Sequence, residues 1–146
     1  MLNQDFKEFI ASLNANQVRY LVIGGYAVAF HGYPRYTKDI DIWIERNEAN
    51  AARMVEALED FGFGSLGLQA DDFVEADQII QLGYPPARID LITSAPGVDF
   101  GQCHASRVEV DSERVRVKFI DLVNLRRNKR AVGRMQDLAD LENLRW

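Results

Sequence analysis

Asp39 and Asp41 stand two residues apart in the stretch "TKDIDIW", and the pair Gly24-Gly25 precedes them within "VIGGYAV". Side chains two apart on a strand share a face. The alternation with Ile40, Ile42 and Ile44 therefore predicts a strand with one apolar face and two adjacent carboxylates on the other. Such carboxylates repel each other unless a cation lies between them. Paired hard oxygen ligands suit Mg2+, which also takes water and substrate phosphates; a solvated strand face is the plainer alternative. A glycine pair between strand and helix lets backbone N–H groups approach a ligand with no Cβ in the way. The helix start that follows offers its dipole to an anion such as phosphate. Read blandly, the same pair makes only a tight turn.

Asp90 extends the pattern. It lies in "RIDLITS" between Ile89 and Leu91, where a charge is costly without a partner. If its strand lies beside the first, three carboxylates can hold two metal ions, one activating an attacking hydroxyl and one steadying a leaving phosphate. The competing reading pairs Asp90 with a structural arginine, Arg88 or Arg35. Arg35 itself reaches either a phosphate or one of the acids Asp39 and Asp90. Thr37 is read as fixing the loop before the strand.

The elements that must position these groups follow from periodicity. Leu2, Phe6, Phe9, Ile10 and Leu13 recur at helical spacing. A buried strand over 20–23 ends at the glycine pair, and a short helix over 26–30 stops at Gly32 and Pro34. Asn47 caps a helix with the apolar face Ala51, Met54, Val55, Leu58 and Phe61, and Gly62 ends it. The glycine-rich, then acidic stretch "FGFGSLGLQADDFVEAD" reads mostly as loop. "QIIQLG" and "ARIDLIT" read as strands joined through Tyr84-Pro85-Pro86, and "SRVEV" and "RVRVKF" as a pair around Asp111-Ser112. Two helices, about 121–131 and 134–145, close the chain on either side of Gly133. Few helices separate neighbouring strands, so the expected class is α+β, a mixed sheet with helices mainly on one face, and not a doubly wound parallel sheet.

Composition narrows the function. The 146 residues match the length of a single domain and carry 17 Lys+Arg against 22 Asp+Glu, for a net charge of −5. That balance excludes a general coater of polyanions, which needs a positive surface. Cys103 is the single cysteine, so no internal disulfide forms, in keeping with a reducing compartment. The first residues lack a signal-peptide pattern, and no apolar run approaches the roughly 20 residues that span a bilayer. A cytoplasmic, soluble protein is expected.

The ordered set of strand, Gly-Gly, helix, Asp-x-Asp and later strand Asp resembles the DNA polymerase β-like nucleotidyltransferase superfamily. The longer string "GGYAVAFHGYPRYTKDIDIWI" is similar to a prokaryotic branch of small nucleotidyltransferases and AbiE-type toxins. "NLRRNKRAVGRMQDLADLENL" resembles that branch's tail, so the likeness spans about residues 20–144. The resemblance implies a polymerase β palm-like fold and transfer of a nucleoside monophosphate from a nucleoside triphosphate, with Mg2+ or Mn2+ as two ions. It implies that Gly24 and Gly25 hold the triphosphate and that Asp39 and Asp41 bind both metals. Asp90 would bind the catalytic metal and help deprotonate the acceptor. Lys129, from the run Arg126, Arg127, Lys129, Arg130, Arg134, would turn inward to the triphosphate, while the arginines form a solvated face or meet nucleic acid or a partner. The acceptor is RNA, a protein side chain or a small molecule, and an antitoxin is the expected partner if the chain is a toxin. Gln136 departs from the lysine usual at that point of the branch. It therefore motivates a rival reading: a degenerate module of the same fold that binds nucleotide or a partner without turnover. A glycosyltransferase using Asp-x-Asp is a further reading, which leaves Gly24-Gly25 and the tail unexplained.

Three other features carry less chemistry. His31 reads as a hydrogen-bonded scaffold residue, and two distant histidines make no zinc site. Cys103-His104 lacks an orienting third group for a nucleophile. Tyr33, Tyr36 and Trp43 stack a base or belong to core and rim.

Overall fold

The computed structural model describes residues 2–33, 38–83 and 88–144. Arg35, Tyr36, Thr37 and the Tyr84-Pro85-Pro86 connection lie outside them. The apolar run Tyr20–Ile23 forms β1, buried at every residue, near the middle of a six-stranded mixed sheet. β2 (Ile40–Ile44) runs antiparallel to it, with Asp41 opposite Ile23. β3 (Ile79–Leu82) and β4 (Ile89–Ile92) form an antiparallel pair, and β4 lies parallel to β2 with Asp90 opposite Asp41. On the other side β6 (Val115–Phe119) runs parallel to β1, and β5 (Val108–Ser112) closes the edge. The order is β3-β4-β2-β1-β6-β5.

Register sorts the faces. Paired residues of adjacent strands point the same way, so Val22, Ile42, Leu91 and Ile80 form one apolar row. One residue along, on the opposite face, the row reads Ile23, Asp41, Asp90, Gln81. A slip of one residue in β4 would put Asp90 into the apolar core, and that cost pins the register.

The helices α1 (Gln4–Ala15), α2 (Gly24–Phe30) and α3 (Glu48–Phe61) contribute to the hydrophobic core. Asn3 caps α1 by accepting from the Phe6 backbone N–H at 2.8 Å, and Asn47 caps α3 by accepting from that of Asn50 at 2.8 Å. Gly62 ends α3 in the left-handed region at φ 103°. Phe9 of α1 meets Phe61 of α3 edge to face at 5.2 Å between centroids.

The structure departs from the sequence expectation at four places. The glycine pair does not merely precede α2 but forms its first turn. The stretch 61–77, expected to be mostly loop, contains two short 3-10 helices, Gly64–Leu66 and Ala70–Phe73, with Phe73 of the second fully buried. The β5–β6 hairpin turns at Glu113-Arg114, both at positive φ as a tight two-residue turn requires, and not at Asp111-Ser112. A helix unseen in the sequence, α4 (Phe100–Ala105), is capped by Asp99, which accepts from the Gln102 backbone N–H at 3.0 Å. Phe100 lies edge to face on Trp43 at 5.1 Å, so Trp43 is core.

α5 (Leu122–Val132) and α6 (Met135–Asn143) close the chain, separated by Gly133 at φ 69°. The loop after β4 presses onto α5. Asn128 donates from Nδ2 to the Pro96 carbonyl at 2.9 Å. A Cβ on Gly97 would come within 2.5 Å of Ala131 Cβ and 3.2 Å of the Arg127 carbonyl, and φ there is +80°. Gly97→Val is therefore expected to cost on the order of 2–4 kcal/mol, from strain plus overpacking. Thermal denaturation checks this: an unchanged midpoint would mean that the loop and α5 part without penalty.

Candidate active site

Asp41 is placed by β2 and Asp90 by β4, and the parallel register sets them abreast. Asp90 is 8% exposed. Burial, then the Asp90 and Asp39 carboxylates, push the Asp41 carboxyl up to about 6. Burial also raises Asp90, against the lowering effect of Arg88. Gly24 closes one side of this pair. Its φ is +68°, and a Cβ there would lie 2.1 Å from Asp41 Oδ2, so only a glycine lets the start of α2 approach the carboxylate. Gly25, next along, is buried. α2 has seven residues, about two turns, and its N-cap Ile23 offers no side-chain cap. The close main-chain approach is what this element supplies, more than a helix dipole.

Asp39 sits one residue outside the β2 ladder. Arg88 Nη2 donates to its Oδ2 at 2.7 Å. The same guanidinium brings Nε to 3.2 Å from Asp90 Oδ1, an ion-pair distance, yet the angle leaves both atoms buried and without a hydrogen bond. The arginine pairing weighed for Asp90 in the sequence is thus present, and it spans two of the three acids.

A cavity of about 430 Å³ opens over this face between the sheet and the closing helices, lined by Gly24, Asp41, Asp90, Lys129, Arg134 and Asp137 among others. Lys129 is turned inward and buried, and its Nζ lies 3.1 Å from Asp137 Oδ1 and 2.9 Å from Asp140 Oδ2. Both aspartates are almost fully buried. Burial favours the protonated acid at Asp137, but hydrogen bonds from Arg134 and Lys129 prevail and hold it below the ordinary range. Gln136 donates from Nε2 to Asp140 Oδ1 at 2.9 Å. Asp137 and Asp140 are the Asp-Leu-x-Asp element by which the tail resembles the nucleotidyltransferase branch, with no role in the site assigned to them from the sequence; their spacing, one helical turn, is the signal that they share a face.

The remaining candidates fall elsewhere. Arg35 lies outside the described residues. The His31 ring contacts the Ile120 carbonyl at 2.7 Å, a scaffold bond. Cys103 and His104 lie on α4, with Cys103 buried and burial pushing its thiol up to about 11. Burial and Arg107 lower His104 to about 4, and its ring stacks on Phe100. No nucleophile and base converge there.

The donor set fits a hard divalent cation. It consists of oxygens alone, two carboxylates stand abreast, and Asp90 Oδ1 is buried without a hydrogen-bond donor. Among the described residues no three acids or histidines already converge as a closed ligand set.

No protein-family model and no curated protein sequence matches this chain. Solved structures match its fold. A Thermotoga maritima protein, TM1012, designated a nucleotidyltransferase, aligns over 94% of this chain and 88% of its own at TM-score 0.64 and 15% identity. An antigenic nucleotidyltransferase-like protein from Paracoccidioides brasiliensis aligns over 98% and 77% at TM-score 0.52 and 19% identity. The lincosamide antibiotic adenylyltransferase LnuA, with lincomycin bound, aligns over 99% and 96% at TM-score 0.53 and 15% identity. At these identities the likeness establishes the architecture: an α+β nucleotidyltransferase fold. Among the described residues no helix is long and apolar enough to cross a membrane.

The Asp41 environment has a consequence for stability. Its value near 6 in the fold exceeds its ordinary 3.8, so the folded state holds the proton more tightly. The ionised carboxylate then destabilises the fold above pH 6, and the penalty fades as pH falls toward 4. In metal-free buffer at pH 7.5, Asp41→Asn should be more stable than the wild type by on the order of 2 kcal/mol. The gap should close near pH 4. Denaturant melts across that range decide it, and a wild type that is the more stable at pH 7.5 would refute the penalty that burial, with Asp90 and Asp39, sets on the Asp41 charge.

Proposed function

We propose that this chain moves a nucleoside monophosphate from a nucleoside triphosphate to an acceptor, with Mg2+ or Mn2+ required. The observation that carries the reading is the row Ile23–Asp41–Asp90, with the Gly24 main chain pressed against Asp41 inside the cavity of a nucleotidyltransferase fold. Asp41 and Asp90 would hold the ions, joined by Asp39 once its carboxylate leaves Arg88. Bound there, the ions supply neutralisation of phosphate charge and a more acidic attacking hydroxyl.

The chain's own groups do the rest. Gly24 and Gly25 bring main chain rather than side chains to the phosphates. Asp90, ion-paired with Arg88 at Oδ1 but not hydrogen-bonded by it, would accept the acceptor's proton as the α–β phosphate bond breaks and pyrophosphate leaves. Lys129 belongs to the nucleotide-binding wall, where it fixes Asp137 and Asp140. Arg35 is retained as a candidate phosphate contact on the sequence alone. Breaking this bond calls mainly for positioning and charge neutralisation, which such a constellation supplies.

The acceptor classes rest on different supports. The resemblance to AbiE-type toxins motivates RNA or a protein side chain, together with an antitoxin partner. The fold shared with LnuA motivates a small molecule. A second reading, a module that binds nucleotide or a partner without turnover, draws on the Arg88 bridge and on Gln136 bonded to Asp140.

The test is label transfer from each of four α-labelled nucleoside triphosphates with Mg2+ in a cell extract, the Asp39→Asn/Asp41→Asn double variant running beside the wild type. Label should move onto one acceptor class with the wild type alone. A Mg2+-dependent rise in melting temperature with nucleotide, without transfer, would establish the binding module instead. The absence of both would overturn the reading.

A further inference from the structure

We infer that Arg134, rather than Lys129, is the cation that receives the polyphosphate of the nucleotide; the inference rests on the nucleotidyltransferase reading above. Among the described residues, Lys129 and Arg134 are the cations that line the cavity. They differ in what they have left to give. The Lys129 side chain is 5% exposed, and its ammonium is held between Asp137 and Asp140 at 3.1 and 2.9 Å. Turning it to a phosphate would strip a buried carboxylate of its partner, which is costly.

Arg134 is built the other way. Its side chain is 73% exposed, yet one edge of the guanidinium is fastened: Nε donates to Asp137 Oδ2 at 2.7 Å, and Nη2 reaches Oδ1 at 3.4 Å. Its backbone N–H also donates to Asp137 Oδ2 at 3.2 Å. Asp137 cannot follow a moving arginine, because Lys129 holds its other oxygen and the residue is 1% exposed. An arginine offers five donors in a planar fork. With Nε and Nη2 committed, the free edge of the fork remains for a ligand, already oriented. Arrangements of this kind bind phosphate oxygens directionally and lose little side-chain freedom in doing so.

The surroundings agree. Arg134 lies near enough to Asp41 to feel its charge, so the metal-fitting acids and the arginine face one cavity. Lys129, Arg134, Asp137 and Asp140 together are neutral. Attraction for polyphosphate therefore comes from the fork's donors and not from a broad positive field, and a lysine in place of Arg134 would keep the charge and lose the fork.

The experiment is calorimetric titration of wild type, Arg134→Gln and Arg134→Lys with two probes, Mn2+ alone and inorganic tripolyphosphate with Mg2+. Tripolyphosphate avoids any base preference. Arg134→Gln should weaken tripolyphosphate binding by about 10- to 100-fold, the worth of lost charge-assisted hydrogen bonds. Arg134→Lys should recover only a small part. Mn2+ binding should be unchanged in both variants. Tripolyphosphate bound equally by Arg134→Gln and wild type would overturn the assignment while leaving the nucleotidyltransferase reading intact. Loss of Mn2+ and tripolyphosphate together would overturn it in favour of a structural role through Asp137. A wild type that binds Mn2+ but neither tripolyphosphate nor any nucleoside triphosphate would overturn both.

Discussion

Two carboxylates held abreast at paired positions of neighbouring parallel strands set the energetic problem that the rest of this structure answers. Burial penalises both charges, the ionised pair adds repulsion, and the one relief the two find in each other is a hydrogen bond from Asp41 to Asp90 when Asp41 holds a proton. Their register is fixed from the far side of the sheet, where Val22, Ile42, Leu91 and Ile80 form an unbroken apolar row. The hydrophobic face thus holds in place an acidic face that would not assemble on its own. Arg88 offsets part of the charge, but from the Asp39 side and with poor geometry toward Asp90. Strain of this kind, maintained by a well-packed surround, is characteristic of sites whose energetics are completed by a ligand.

The closing helices solve the opposite problem. Lys129, Asp137 and Asp140 are more deeply buried than the Asp41–Asp90 pair, but each charge has a partner of opposite sign within about 3 Å. One wall of the cavity is therefore electrostatically satisfied and rigid, while the other is not. The satisfied wall is also mechanically tied, since the Gly97 turn and the Asn128–Pro96 bond fasten α5 to the loop that leaves β4, two strands from the glycine turn. Both ends of β4 consequently serve the cavity: Arg88 and Asp90 at one, the α5 clamp at the other.

How far the sequence could reach depended on the range of each interaction. Strand alternation, caps such as Asn47 and stops such as Gly62 are decided by residues a few positions apart, and β1, β2, α1 and α3 were legible for that reason. The fold class was legible through the order of motifs. The pairing of β2 with β4 entered only as a condition, Asp90's strand lying beside that of Asp41, which the register bears out; with β3 intervening in the chain, nothing local decides it. α4 was missed because six residues, Phe-Gly-Gln-Cys-His-Ala, are too few to show a period; its signal was the Asp99 cap. Arg88 was legible only as one of two alternatives. Arg134 was folded into a charge run, since exposure at one edge and anchorage at the other are properties of the fold. The Arg-x-x-Asp spacing, which resembles a capping box, was the available hint.

Charge balance joins the two walls. Asp41 and Asp90 stand abreast where, on the proposed function, a phosphate chain would have to lie, and on the opposite wall the charges of Lys129, Arg134, Asp137 and Asp140 balance. A bare triphosphate meets repulsion at the acids and only directional donors at Arg134. On the proposed function it would gain from the site only in company with cations that the acids themselves attract. On that proposal, the same burial and repulsion that raise the Asp41 carboxyl would make nucleotide binding conditional on metal. Replacing an acid by its amide would relieve the fold and dissolve that condition in one step. Stability and the proposed selectivity for a metal-bound nucleotide would then be opposite readings of one electrostatic fact.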